Sequence, residues 1–315
     1  MLRYIGFRVL QVLPVLFVAS IVIWGMIFLV PGDPVALKLG PDATPLQLES
    51  AREDLGLNDP VLIQYGRWLS GVLAGNLGIS FANELPVSSL IAERLPATLH
   101  LVIGTALVSL LTSVPLALLG VSSPNRTLRM GVSAYISMAL AAPSFLIGVL
   151  LVYLFGVNLS VLPTGGYIPI WEDFGESVRH LVLPIATMSF FFSGLLTRFL
   201  KSSLTSERAA EYVDTARSKG VSKRQIWRKH ILRNALLPGI TIFGLYVGTL
   251  FAGAVITESI FNFPGVGRLL LDAVRERDYP VMQGAILLVV VLFLVVNLLV
   301  DVLYSMLDPR IRYAK

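Results

Sequence analysis

Glu211-Tyr-Val-Asp-Thr-Ala-Arg-Ser-Lys-Gly-Val-Ser-Lys-Arg-Gln-Ile-Trp-Arg-Lys-His-Ile-Leu-Arg-Asn-Ala-Leu-Leu-Pro238 is a basic, helix-forming stretch set between two apolar runs, Leu181–Thr197 and Asn234–Thr257. From Lys201 to Arg233 the chain carries nine Lys or Arg and three acids, more than a plain link between two membrane helices needs. The stretch is punctuated like helix. Ser206 is placed to cap a first helix with Tyr212, Val213 and Ala216 on one face, and Gly220 falls where a left-handed stop is wanted. Ser222-Lys-Arg-Gln225 has the spacing of a capping box and opens a second helix carrying Ile226, Trp227 and Ile231. Two short helices joined at a glycine make a compact knob, a docking surface for a soluble partner. A basic patch resting on anionic headgroups would account for the charge, but not for the small first face or the glycine hinge.

Outward from the insert, the chain is greasy. Of 315 residues, 55% are apolar and 14% charged, outside the range of soluble globular proteins. Five uncharged segments are long enough to cross a hydrocarbon core: Val9–Val30, Leu99–Val121, Met130–Val157, Asn234–Thr257 and Val281–Val300. Leu181–Thr197 is a shorter sixth that reaches full length with a snorkelling Arg198. Arg3 and Arg8 before the first run have the look of a signal peptide, but the run is too long and lacks a small-residue cleavage site, so it reads as a retained helix. With the N-terminus inside, segments 1–8, 122–129, 198–233 and 308–315 hold 17 of the 25 Lys and Arg. That asymmetry follows the positive-inside rule and places both termini in the cytoplasm. The net charge of +5 thus follows the membrane and not a nucleic acid. The expected fold is an all-α integral membrane protein of six transmembrane helices. A cytoplasmic insert, 201–238, lies between helices 4 and 5, and an extracytoplasmic segment, 31–96, follows helix 1. Residues 1–30 form the N-terminus and first helix, 97–305 the transmembrane core and 306–315 a cytoplasmic tail.

The outside segments are acidic. Between Pro31 and Pro96, eight Asp or Glu face four Lys or Arg. Asp42 or Thr44 is placed to cap a helix over Pro45–Leu55 that stops at Gly56. Val61–Leu73 spaces Ile63, Tyr65, Trp68, Leu69 and Val72 as a helix lying on the bilayer or, the preferred reading, on its own protein. Leu162-Pro-Thr-Gly-Gly-Tyr167 reads as a turn near the outer interface, and Leu269–Arg275 as a short helix before the last span. Pro14, Pro115, Pro143 and Pro184 lie within apolar spans and imply kinked helices in a packed bundle. The polar residues there, Ser109, Thr112, Ser113, Ser137, Ser144, Ser189, Ser193 and Thr241, suit interhelical bonding at least as well as a substrate path. Glu258 and Asp301 are the intramembrane charges, each near a helix end, which argues against a proton- or sodium-coupled carrier. There is no cysteine, and His100, His180 and His230 fall on different segments and make a poor metal cage. No metal site and no catalytic residue is assigned.

Asp214, Thr215, Ala216 and Gly220 resemble the coupling motif of bacterial ATP-binding-cassette importer permeases, a Glu-Ala-Ala, three residues, Gly pattern, here with Asp for Glu and Thr for the first Ala. The longer context is similar to the dipeptide, oligopeptide and nickel importer branch. It comprises Pro31-Gly-Asp-Pro34, Leu77-Gly-Ile-Ser80, Leu95-Pro-Ala-Thr-Leu99, His230 to Pro238, Glu258-Ser-Ile-Phe-Asn-Phe-Pro-Gly-Val-Gly-Arg268, Arg277-Asp-Tyr-Pro-Val-Met-Gln283 and Asp308-Pro-Arg-Ile-Arg312. The resemblance implies a permease subunit in a bacterial inner membrane that forms the path for di- or oligopeptides, with a nickel chelate as the alternative cargo. Implied partners are a second homologous permease, two cytoplasmic ATPase subunits that bind the ATP and Mg, an extracytoplasmic binding protein and the lipid bilayer. Glu211, Tyr212, Val213, Asp214, Thr215, Ala216, Arg217 and Gly220 are the implied ATPase-coupling residues, with small Ala216 and Gly220 allowing close approach and Asp214 and Arg217 fixing register. No substrate-path residue is named. A membrane scaffold that recruits an ATPase and a secondary transporter are the rival classes. The first has little use for six kinked spans, and the second should show coupling ionisable groups or inverted repeats.

Overall fold

The computed structural model describes residues 2–28, 35, 44–54 and 56–307. Pro31–Pro34, Asp42 and Asp308–Arg312, used above, lie outside the described residues. The described chain is helical, and an isolated bridge pairs Ile79 with Pro86. In order, the helices are α1 (Leu2–Gly25), α2 (Pro45–Asp54), α3 (Val61–Leu73), α4 (Val87–Ser122), α5 (Arg126–Ala141), α6 (Ser144–Asn158), α7 (Phe174–Arg208), α8 (Glu211–Ser218), α9 (Lys223–Ile260), α10 (Val266–Glu276) and α11 (Tyr279–Leu307). Five of them, α1, α4, α7, α9 and α11, are long and apolar enough to span a membrane, and α5 with α6 makes a sixth if the bent pair is one span.

The expected spans are present with four differences. Leu99–Val121 is the later part of α4, which starts at Val87, ahead of the expected boundary at residue 96, and carries Pro96 inside it. Leu181–Thr197 is the middle of a 35-residue helix and not a short span. Met130–Val157 is broken: α5 and α6 meet at 105°. The proline at 143 causes the break by excluding its neighbour from helical space, and Ala142 is extended at φ −78° and ψ 128°. Pro14, Pro115 and Pro184 are instead carried inside continuous helices. Finally, the insert is not a knob of two short helices. Lys201–Arg208 ends α7, and Lys223–Ile231 begins α9, passing through π-helical turns at Ile226–Ile231. Only α8 stands apart.

α7 is the axis of the bundle. Of its apolar window 61% is buried, against 11% for α1 and 6% for α11, which leaves those two outer helices their sides for lipid. Ala97, Leu101, Leu183, Phe192, Phe251 and Phe261 form the central core. Ser109 and Ser113 of α4 and Ser189 and Ser193 of α7 are buried, and Ser193 Oγ bonds the hydroxyl of Tyr135. The bend after Ala141 brings Gly148 of α6 against Thr187 and Ile260, where a methyl group would sit 3.3 Å from the threonine side chain. At one end Arg8 of α1 pairs with Asp301 of α11 at 3.0 Å.

The short helices follow their punctuation. Thr44 and Gln47 close a reciprocal capping box ahead of α2, with Gln47 N donating to Thr44 Oγ1 at 3.3 Å and Thr44 N to Gln47 Oε1 at 2.8 Å. Gly56, at φ +64°, follows its end. α3 rests on α1 through Tyr65, whose hydroxyl bonds Ser20 at 2.7 Å and whose ring meets Trp24 edge-on. Its Leu62 and Leu73 are left exposed. α10 is longer than Leu269–Arg275 and ends at Arg277 in the left-handed region.

Candidate functional site

The part of the insert that stands apart is α8, a two-turn helix clamped across one end of the bundle. Val213 is its anchor, fully buried among Ala117 and Val121 of α4, Leu196, Leu200 and Leu204 of α7 and Ile226, Ile231 and Ala235 of α9. Burying one valine contributes about 1.5–3 kcal/mol, enough to hold a helix that is too short to be stable alone. Ala216 packs against the same cluster. Half-buried there, its small side chain lets α8 approach its own bundle.

Ser206 does not cap α8. It lies inside α7, and the residue before α8 is Ala210, which bonds with no side chain at that cap. Ser222 takes the position before α9, but its side chain makes no cap bond, so the expected capping box is absent there. Gly220 performs its expected part: at φ +76°, it donates from N to Arg217 O at 2.9 Å, and Val221 N donates to Ala216 O at 3.1 Å. These two bonds close a Schellman turn that ends α8 and aims the chain into α9.

What α8 presents outward is polar. Glu211, Asp214, Thr215, Arg217 and Gly220 are exposed. Arg217 pairs with Asp214 at 3.0 Å, and acids in the first turn with Arg217 in the last complement the helix dipole. The surface offers both charge signs in fixed register. Tyr212 is a brace at its edge, donating its hydroxyl to Glu207 at 2.5 Å and accepting from Asn234 at 3.3 Å, so it ties the end of α7 to α9. Burial, then the Glu207 bond, holds its hydroxyl proton more tightly than usual. Arg208 donates to the carbonyl of Val121 at 3.0 Å and ties α7 to α4. The structure thus brings together all the expected residues, dividing them into an anchor, Val213 and Ala216, and an outward face.

Two features escaped the sequence reading. At the α5–α6 break, Pro143, Ser144, Phe191, Tyr246, Thr249 and Gly253 line a cavity of about 350 Å³ between the turn after α5, the start of α6, α7 and α9. Its walls mix rings and hydroxyls without a charge, and the signal for it was Ala141-Ala-Pro-Ser144, legible as a break had the span not been long enough to pass as one helix. At the end opposite α8, Glu258 is fully buried. It accepts from Thr98 Oγ1 at 2.7 Å and from Arg268 N at 2.9 Å, and Thr98 Oγ1 accepts from Val266 N at 2.8 Å. Gly265 and Gly267 are needed there: a Cβ on Gly265 would lie 2.1 Å from the Glu258 carboxyl, and one on Gly267 would lie 2.6 Å from Val255 Cα. The carboxylate is a lock between α4, α9 and α10. The histidines are local partners, His100 to Tyr167 and His180 to the carbonyl of Gly165, while His230 stands beside the Tyr212 ring.

Residues 109–313 match the family described as binding-protein-dependent transport system inner membrane component, and residues 1–102 match its N-terminal counterpart. The chain is 37% identical over 314 residues to the glutathione transport system permease protein GsiC of Escherichia coli, covering 99% of this chain and all of that one. It is also 37% identical over 316 residues to the oligopeptide transport system permease protein AppB of Bacillus subtilis, with the same coverage. Among solved structures, the MetNI methionine ABC transporter in inward-facing conformations shares the fold at a TM-score of 0.57 and 18% identity, over 70% of this chain and 96% of that one.

Proposed function

The chain belongs to the family of binding-protein-dependent transport system inner membrane components, and on that premise we propose that it is a permease subunit of an ATP-driven importer of di- and oligopeptides. The observation that carries this reading is the full-length similarity to permeases named for oligopeptides and for glutathione, itself a small peptide. In this account the α8 end is cytoplasmic, as the excess of Lys and Arg in its segments favours. Two ATPase subunits hold the ATP and Mg and engage the outward face of α8, while a second homologous permease completes the path. A peptide-loaded binding protein docks at the end that carries α10. This chain contributes no group to ATP hydrolysis.

Its own residues convert one motion into another. A push on Asp214, Thr215 and Arg217 is delivered through Val213 to α4, α7 and α9 together, since all three wall its pocket. α9 is continuous for 38 residues, about 57 Å at the helical rise, and so carries that displacement to Glu258 and thence to α10. Between the two ends it lines the cavity at the α5–α6 break, whose uncharged, hydroxyl-bearing walls suit peptides of varied side chain. Uptake of labelled di- and tripeptides by cells tests the reading. It should disappear when the gene is deleted and return with the intact gene; unchanged peptide uptake with loss of nickel uptake would reject the cargo.

A further inference from the structure

We propose that the groove between α5 and α7 at the α8 end of the bundle binds an anionic phospholipid, headgroup and chain together. Two open clefts meet there. One, about 520 Å³, is lined by Gly120, Arg126, Arg129, Met130, Ser133 and Lys201. The other, about 600 Å³, has Arg198, Lys201, Ser137, Ser202 and Thr205 in its walls. Their shared wall is Lys201 with Ser133, and the lysine Nζ donates to Ser133 Oγ at 2.8 Å. The lysine stem is held as well: it lies where a Cβ on Gly120 would touch its Cδ at 3.3 Å.

The charge balance of this groove is one-sided. Arg126 and Arg129 are three residues apart on one helix, and Arg198 and Lys201 are three apart on the other, a spacing at which like charges repel. None of the four has an ion-pair partner among the described residues. No Asp or Glu occurs in α5 or between Ser177 and Ser206 of α7. A fixed anion would relieve this repulsion, and the hydroxyls of Ser137 and Ser202 supply neutral donors beside it, while those of Ser133 and Thr205 donate to the carbonyls of Arg129 and Lys201. The groove is amphipathic, because Met130 and Ile136 line the same clefts. It also lies where α7 leaves its apolar run at Thr197, the depth of the headgroups. A phosphodiester that carries its own hydrocarbon satisfies both halves, whereas free phosphate satisfies one.

The test is native mass spectrometry of the purified transport complex. It is taken from nanodiscs of equal parts phosphatidylglycerol and phosphatidylcholine, then stripped with detergent. The expected result is a retained phosphatidylglycerol in preference to phosphatidylcholine. At about a fivefold gain per basic residue, retention should fall roughly 25-fold in Arg126→Gln/Arg129→Gln and about fivefold in Lys201→Gln. Arg67→Gln, at the far end on α3, should retain lipid as the unaltered protein does and controls for general loss of charge. Equal retention of the two lipids, or undiminished retention in correctly assembled Arg126→Gln/Arg129→Gln, overturns the proposal. Thermal protection by inorganic phosphate alone, lost in the same variant and unaccompanied by lipid preference, would also overturn it in favour of a soluble anion.

Discussion

Val213 and Glu258 carry the account at the two ends of the chain's mechanism. Val213 is the buried link between an outward polar face and three long helices. Val213→Ala should cost about 1–2 kcal/mol of α8 docking, read as faster hydrogen exchange over 211–222 with the spans unchanged. Equal exchange in both proteins would mean that α8 is held by something else. At the other end, removing the Glu258 carboxylate strands the Thr98 hydroxyl and the Arg268 amide in a buried site. Each stranded group costs about 1–3 kcal/mol, so Glu258→Ala should lower the melting temperature of the purified protein markedly, and Glu258→Gln, which keeps an acceptor, much less. Gly267→Ala should behave like the alanine variant because its new methyl meets backbone at Val255. The alanine and glutamine variants melting alike would remove the lock from the account.

Among the elements, α8 was the most legible and its setting the least. Helical spacing, first-turn acids and Gly220 announce a short helix with a defined stop, and they are local signals. Whether a neighbouring segment is a separate helix or the start of a span depends on packing, which is why Lys223–Ile231 joined α9 and Ser206 was absorbed into α7. The break at Pro143 was obscured likewise, since Pro115 and Pro184 show that proline alone does not end a helix here. At Gly220 a Cβ meets nothing within 4 Å, so space is open and only the backbone φ objects. Gly220→Asn should therefore be tolerated, at a cost of about 1 kcal/mol, while Gly220→Trp should abolish transport by obstructing the docking face, with membrane insertion intact. Peptide uptake and membrane abundance measured side by side check the pair; normal uptake by the tryptophan variant would show that this face is not the coupling surface. Pro143→Ala should reduce uptake by relaxing the bend that walls the cavity, and unaltered uptake would detach that cavity from the path.

For the whole molecule, composition and charge placement sufficed to reveal a multi-pass helical membrane protein, because a hydrocarbon core demands long uncharged helices whatever their packing. The cavity and the carboxylate lock were not legible, since each assembles residues more than a hundred positions apart, such as Thr98 with Glu258 and Pro143 with Gly253. The central claim joins these scales: peptide delivered at the α10 end governs ATP use at the α8 end. The direct measurement is ATP hydrolysis by the complete complex in liposomes, with its binding protein loaded with a mixture of dipeptides and tripeptides or, separately, with nickel chelate. The account predicts stimulation by the peptides, and its loss in Gly220→Trp complexes that assemble normally. Stimulation by nickel chelate alone, or peptide stimulation that survives Gly220→Trp unchanged, would contradict it.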